Sequence, residues 1–437
     1  MTGLSPQIIG VIGLAGVMVA IFLRVPVAVA LGGVGLIGYA MVDSWSTALV
    51  TLGATPFDLA SGYSLSVVPL FIFMGAIATH SDMSRELFAA ANAFFSGRRG
   101  ALAMATVGAC AGFGAICGSS LATAATITKV AVPEMRRYGY NEALATGSVA
   151  SAGTLGILIP PSVILVIYAL IAEESVPHLF AAALVPGILL AVLHVAIIWI
   201  ITRIRPDWTP TTPIMPWRER IGALTGMWKL ALLFMLAVGG IYLGWFSPTE
   251  AAAVGAFGAL VVAVATGKLT FQQFLDSTLE TVWTTAMLFF IVVGAFIFAR
   301  FMVLTQMPNA LVDWVTDSGL SPLAVLLLMV LFYLALGCFL DSISIILITV
   351  PVFLPLVTGM DLSAVWFGIL VVVVVEVGLV TPPVGLNLFV IRAQVPDIPL
   401  GTVIRGIVPF LGADAVLIAL LIAAPSLALW LPSVLYN

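Results

Sequence analysis

Gly118-Ser119-Ser120 and Asp341-Ser342-Ile343-Ser344 place hydroxyls, a carboxylate and backbone carbonyls in the middle of long apolar stretches. Hard oxygen ligands of this kind suit sodium, which needs neither imidazole nor thiol. The two clusters are paired. A shift of 222 residues superposes Ser120 on Ser342, Pro133 on Pro355, Gly156 on Gly378, Pro160 on Pro382, Pro161 on Pro383 and Pro177 on Pro399, with no gap. Behind each cluster lies a second shared feature: Gly153-Thr154-Leu155-Gly156 runs into Pro160-Pro161, and Gly378-Leu379-Val380-Thr381 into Pro382-Pro383. Adjacent prolines lack N–H donors and clash with the preceding turn, so each helix must break there and free carbonyls that a cation can satisfy. Gly/Pro-interrupted apolar segments at matching places in two halves point to a midplane substrate and ion site in a secondary transporter. The plainer reading remains beside this one: Ser and Thr also cap short helix ends or let helices approach closely.

Two charges fall inside apolar runs. Glu376 sits in VVVVVEVG, where an unpaired carboxylate costs several kcal/mol and so must be paired, protonated or wetted. Asp341 is the better ion ligand, and Glu376 either joins it or bonds to backbone in the neighbouring break. Arg392 follows Asn387 after the second break; it either snorkels to the interface or attracts an anionic substrate.

The elements that position these residues are membrane helices. The chain is 62% hydrophobic and 8% charged over 437 residues, against about 25% charged for a soluble protein. Net charge is −4 and dispersed, with no basic block for nucleic acid. Apolar runs near 7–23, 27–42, 63–80, 141–172, 178–202, 229–246, 250–267, 281–304, 362–392 and 407–432 suggest ten crossings. Stretches 100–135 and 322–358 carry the polar clusters at their centres; their arms look too short to cross separately, so they read as re-entrant hairpins, tolerable only where protein or water covers them. Segments 44–58 and 270–280 read as interfacial amphipathic arms, and 203–228 as a cytoplasmic linker between the halves.

Charge orients this scheme. The run Ile8 to Leu23 has no basic residue before it and Arg24 after it, which argues for a first span with its N-terminus outside rather than a cleaved signal peptide. Arg98, Arg99, Arg136 and Arg137 flank the first hairpin, whereas Asp313, Asp317 and Asp361 flank the second. Tracing the crossings leaves 14 of the 16 Lys/Arg on the cytoplasmic side, Arg300 and Lys129 being the exceptions. The two halves are therefore expected to be inverted in the membrane.

Other chemistry lacks its residues. There is no Walker A pattern and hence no nucleotide site, no G-x-S-x-G and no H-E-x-x-H. An intramembrane protease needs a Ser–His or paired-Asp arrangement, and none is evident. His80, His178 and His194 are dispersed, and Cys110, Cys117 and Cys338 form no C-x-x-C pair, so they read as buried thiols.

At VPLFIFMGAI (68–77), GSSLATAATITKVAVPEMRRYGY (118–140), SAGTLGILIPPSVILVIYAL (151–170), DSISIILITVPVFLPLV (341–357) and GLVTPPVGLNLFVIRA (378–393) the chain resembles the large membrane subunit of a tripartite ATP-independent periplasmic (TRAP) transporter, the DctM-like permease family. The resemblance implies an all-α polytopic protein of two inverted repeats, each with a re-entrant hairpin and a discontinuous helix, working as an elevator-type secondary transporter in the bacterial inner membrane. It implies sodium-driven uptake of an organic acid, such as a C4-dicarboxylate, with two or more sodium ions. A periplasmic binding protein would deliver the substrate, and a small four-span membrane subunit, expected as a separate polypeptide, would brace the scaffold. Carried over by motif, one sodium site involves Ser119, Ser120, Gly153, Gly156 and Pro160, and the other Asp341, Ser342, Ser344, Gly378, Thr381 and Pro383. Substrate contacts fall to Ser119, Thr154, Ser342, Asn387 and Arg392. The chain then divides into scaffold spans and a first arm (1–99), hairpin and broken helix (100–176), scaffold, linker and second arm (177–321), second hairpin and broken helix (322–400), and a final span (401–437). The competing readings are a stand-alone sodium/dicarboxylate symporter, which would transport without a binding protein, and a channel, whose flux would not saturate.

Overall fold

Several helices begin where the sequence supplies a cap. In the computed structural model, which describes residues 4–211 and 214–436, Ser44 accepts the Thr47 N–H at 3.2 Å, Ser247 forms a capping box with Glu250, and Thr270 forms one with Gln273. All named elements among the described residues are helical. Seven helices have at least 18 residues and a span-like apolar window, and Glu142–Leu158 with Val163–Ala172, bent by 45°, makes an eighth. The ten expected crossings each have a helix, but Pro6–Phe22 and Val27–Val42 are only 17 and 16 residues long.

Several boundaries differ from expectation. The segment 270–280 is not a separate arm: Phe271–Leu304 is one continuous helix of 34 residues, about 51 Å long against a hydrocarbon core of about 30 Å. Its capping box at Thr270 starts the helix, and no Gly or Pro stops it before Gly294. The final span is Leu400–Ala423, after which Pro425 starts a separate helix, Ser426–Leu435. The 203–228 linker, of which residues 212 and 213 lie outside the described residues, contains the helix Trp217–Gly226. Two amphipathic helices were not anticipated, Met83–Phe95 and Met307–Asp317, each leading into one hairpin. Ser342–Gly359, taken as an arm too short to cross, has 18 residues and is span-length by itself.

The first hairpin and the broken helices form much of the buried interior, while Pro322–Gly337 of the second hairpin exposes Leu323, Leu328 and Leu331. Ala101–Cys117 is almost wholly buried, and so is every residue from Trp366 to Val380. Helices Val176–Ile204 and Leu400–Ala423, kept apart from this body by the sequence boundaries, pack directly on it. Gly147 meets Gly406 backbone to backbone, and the Trp366 indole donates to the Leu421 carbonyl at 2.8 Å. Within a bilayer the hydrophobic effect does not hold helices together, so close approach through small residues must do it. The outer set follows the same rule: Val27–Val42 lies against Phe271–Leu304, where a Cβ at Gly35 would sit 2.8 Å from Phe298 backbone. Its apolar residues such as Val19, Phe57 and Trp283 are exposed, as a lipid-facing surface requires.

Candidate functional site

The first tip is the turn between Ala101–Cys117 and Ser120–Arg137. Gly118 holds it at φ +61°, and a Cβ there would lie 2.8 Å from the Pro161 carbonyl oxygen, so only glycine fits. Ser119 caps the second arm, accepting the Ala122 N–H at 3.4 Å. Gly156 faces this turn so closely that a side chain would meet Ser119 O at 3.0 Å and Thr123 Oγ1 at 2.6 Å, and Gly153 lies against Ala124 and the Ser120 carbonyl. Ser119, Ser120, Gly153 and Gly156 are thus brought together. Pro160 is buried in the adjoining break.

The second tip joins Pro322–Gly337 to Ser342–Gly359. Asp341 caps the second arm: its Oδ2 accepts the Ser344 N–H at 3.0 Å and its Oδ1 accepts the Ser344 hydroxyl. Gly337 and Gly378 meet backbone to backbone, so a Cβ on Gly337 would sit 2.7 Å from Gly378 Cα. The Gly385 N–H donates to the Cys338 carbonyl at 3.2 Å, tying the turn to the second break. Thr381 turns its hydroxyl back to the Val377 carbonyl at 2.6 Å, and Pro383 is exposed. Asp341, Ser342, Ser344 and Gly378 therefore cluster, with Thr381 and Pro383 at the margin.

Glu376 bonds to neither break. Its Oε1 accepts the Ser342 hydroxyl at 2.6 Å, its Oε2 has no partner, and the residue is 1% exposed. The Asp341 carboxylate, the serine hydroxyls and the carbonyls freed at the glycine-cleared turns form a ligand set that fits a hard cation.

Both tips open onto one cavity of about 340 Å³. Ser119, Ser120, Asp341 and Ser342 line one side, and Thr79, Glu280 and Thr284 line the facing side from helices Val67–His80 and Phe271–Leu304. No lysine, arginine or histidine lines it among the described residues. Three candidate substrate residues are not at this cavity. Thr154 is buried, with its hydroxyl on the Ser151 carbonyl at 2.7 Å. Asn387 is fully buried, and neither atom of its amide has a partner. Arg392 is exposed, because the helix Leu386–Gln394 turns it outward.

Sequence reading missed two polar groups. Glu280 and Thr284 form an i, i+4 stripe whose signal was cut by the boundary placed between arm and span. The other group is a Ser–His–Asp contact: His194 Nε2 lies 2.8 Å from Asp414 Oδ1 and 2.9 Å from Ser151 Oγ, and all three residues are buried. The expectation that no Ser–His arrangement exists is therefore corrected. Ser151 Oγ also lies 3.3 Å from Nδ1, so it reaches both ring nitrogens while Asp414 takes Nε2; the fully buried group ties Leu400–Ala423 and Val176–Ile204 to the first broken helix. At the polar end of the first hairpin Arg136 pairs with Glu142 at 2.8 Å and also with Asp397. The hydrogen bond from Arg136 holds the Asp397 carboxyl below the usual carboxylate range.

The whole pattern has known relatives. A family model described as tripartite ATP-independent periplasmic transporter, DctM component, matches residues 14–427. The C4-dicarboxylate TRAP transporter large permease protein of Pseudomonas aeruginosa is 40% identical over 86% of this chain and 88% of its own length. The ectoine/5-hydroxyectoine TRAP transporter large permease protein of Ruegeria pomeroyi is 33% identical over 86% of this chain and 87% of its own. Among solved structures, the Alcanivorax borkumensis YdaH transporter matches with a TM-score of 0.64 over 89% of both chains at 18% identity, a likeness of fold alone. With its apolar helices, its paired broken segments and a family match over nearly its full length, this multi-pass membrane protein belongs to the DctM component family of tripartite ATP-independent periplasmic transporters.

Proposed function

We propose that this permease couples uptake of an organic acid to sodium, with a periplasmic binding protein delivering the substrate and a small membrane subunit bracing the outer helices in the inner membrane. The observation that carries the reading is the single cavity shared by both tips. On one side it presents Ser119, Ser120, Asp341 and Ser342. On the other it meets the outer helices, whose Glu280 carboxylate leaves it with negative charge and no cationic side chain. A carboxylate cannot enter such a space without cations, and the tips supply their ligands. Sodium at the first site would contact Ser119 and Ser120 beside Gly153, Gly156 and Pro160; at the second, Asp341, Ser342 and Ser344 beside Gly378, Thr381 and Pro383. Ser119 and Ser342 then also face the substrate, whereas Thr154, Asn387 and Arg392 stand away from the cavity.

Relatives are named for C4-dicarboxylates and for ectoine, which supports the reading that the delivery protein, rather than the permease, selects the acid. A relative from Oleidesulfovibrio alaskensis, 32% identical, is named a DctMQ permease protein, and this chain covers 58% of it, which supports a second membrane subunit as partner.

Uptake should be measured in proteoliposomes holding both membrane subunits, with binding protein outside. Uptake is expected to collapse when the sodium gradient is removed. Undiminished uptake driven by protons alone sinks the proposal, and uptake by this chain without the binding protein would favour a stand-alone symporter.

A further inference from the structure

Glu376 stands between the two tips. Its carboxylate accepts the Ser342 hydroxyl at 2.6 Å, and Ser120 of the other tip, which lines the same cavity as Ser342, lies close to it without a hydrogen bond to Oε2. Ser120 and Ser342 are each the first residue of a hairpin's second arm, so two positive helix ends converge on one buried anion. No lysine or arginine pairs with Glu376 among the described residues. The equivalent position in the first half is Thr154, whose hydroxyl is spent on the Ser151 carbonyl. One carboxylate therefore serves both halves.

We infer that Glu376 is a positioning residue that couples the two sodium sites, an inference resting on the sodium reading of the tips given above. A serine hydroxyl has one proton and two lone pairs. When it donates to Glu376, both lone pairs stay free for a cation, and the neighbouring charge makes the oxygen a stronger ligand. Outer-shell acceptors of this kind typically change metal affinity by about 10–100-fold when removed. Because one carboxylate orients a ligand in each site, filling one site fixes Glu376 and prepares the other, and the effect is reciprocal. The unpartnered Oε2 marks the place the Ser120 hydroxyl takes when both sites are filled.

The test is Glu376→Gln in the complete membrane complex, read by two sodium titrations: uptake with binding protein, and thermal stabilisation of the purified complex. An amide can accept from one serine but must donate to the other, turning a lone pair of that serine away from its site. Half-saturating sodium should rise about 10-fold in both titrations, and the Hill coefficient should fall toward 1 while the rate at saturating sodium is kept. Glu376→Asp, which keeps the charge but withdraws it by one methylene, should shift both less, and it covers the case in which the amide fails to fold. Pairing Glu376→Gln with Ser120→Ala or Ser342→Ala should give less than the sum of the single effects. An unchanged sodium response, or a lost rate with half-saturation unmoved, or additive double variants, overturns the coupling role. Wild-type protein with no sodium response in either titration overturns the reading of the tips, and the inference with it.

Discussion

At Ser119 the hydroxyl is occupied by the Ala122 N–H, and at Asp341 both oxygens are occupied by Ser344. These groups can still offer lone pairs to a cation, but they are also caps, and a cap alone contributes about 0.5–2 kcal/mol. Ser120 and Ser342 separate the two roles, since each begins its helix without capping it. Ser120→Ala and Ser342→Ala should therefore raise half-saturating sodium about 10-fold with little loss of expression. Asp341→Ala should be worse than either, because it removes a charge, a ligand and a cap together. Sodium titration of uptake checks this; three variants with unchanged sodium dependence would make the tips structural. These residues were legible in the sequence because each has a counterpart at one offset. Arg392 was not, because its outward face depends on how the short helix after the break is rotated, and composition carries no such information. The His194–Asp414 contact joins positions far apart in the chain, on helices whose pairing no local pattern announces.

Elements were legible to the extent that they were long and apolar. The hairpins and both breaks fall where Gly, Ser and Pro interrupt apolar runs, a signal that survives without knowledge of the fold. Met83–Phe95 and Met307–Asp317 escaped notice because they are only 13 and 11 residues long and interrupted by charged and polar residues. Such helices are stabilised by what they lie against rather than by their own composition. The second arm was lost because an amphipathic start and an apolar continuation belong to one helix, Phe271–Leu304. Since basic residues flank the first hairpin and acidic residues the second, their flanking loops should face opposite compartments. Arg99 and Asp317 are both exposed. Arg99→Cys and Asp317→Cys, in a background lacking Cys110, Cys117 and Cys338, should react with membrane-impermeant reagents from opposite sides. Labelling of both from one side would refute the inverted arrangement.

For the molecule as a whole, we propose that the hairpins and broken helices, with Val176–Ile204 and Leu400–Ala423, move as one body along Val67–His80 and Phe271–Leu304. The glycine contacts inside that body, Gly114 with Gly156 and Gly337 with Gly378, leave no room for its parts to slide past one another. The cavity is the seam between the body and its track. Ala122 and Thr284 both line it, on the body and on the track, so Ala122→Cys joined to Thr284→Cys by a bifunctional reagent should trap one state and abolish uptake, with activity returning on cleavage of the link. Full activity in the linked protein would exclude motion along this seam. The charge lining the seam sets a sequence of events as well as a preference. With Asp341 on the moving side and Glu280 on the fixed side, an anionic passenger arriving before its cations meets repulsion from both walls. On the proposed sodium coupling, boarding is ordered, sodium first and acid second. On the same reading discharge runs the same way: once the cations escape into a sodium-poor compartment the walls expel the acid, and a carrier bearing the acid without its cations has no stable condition in which to cross.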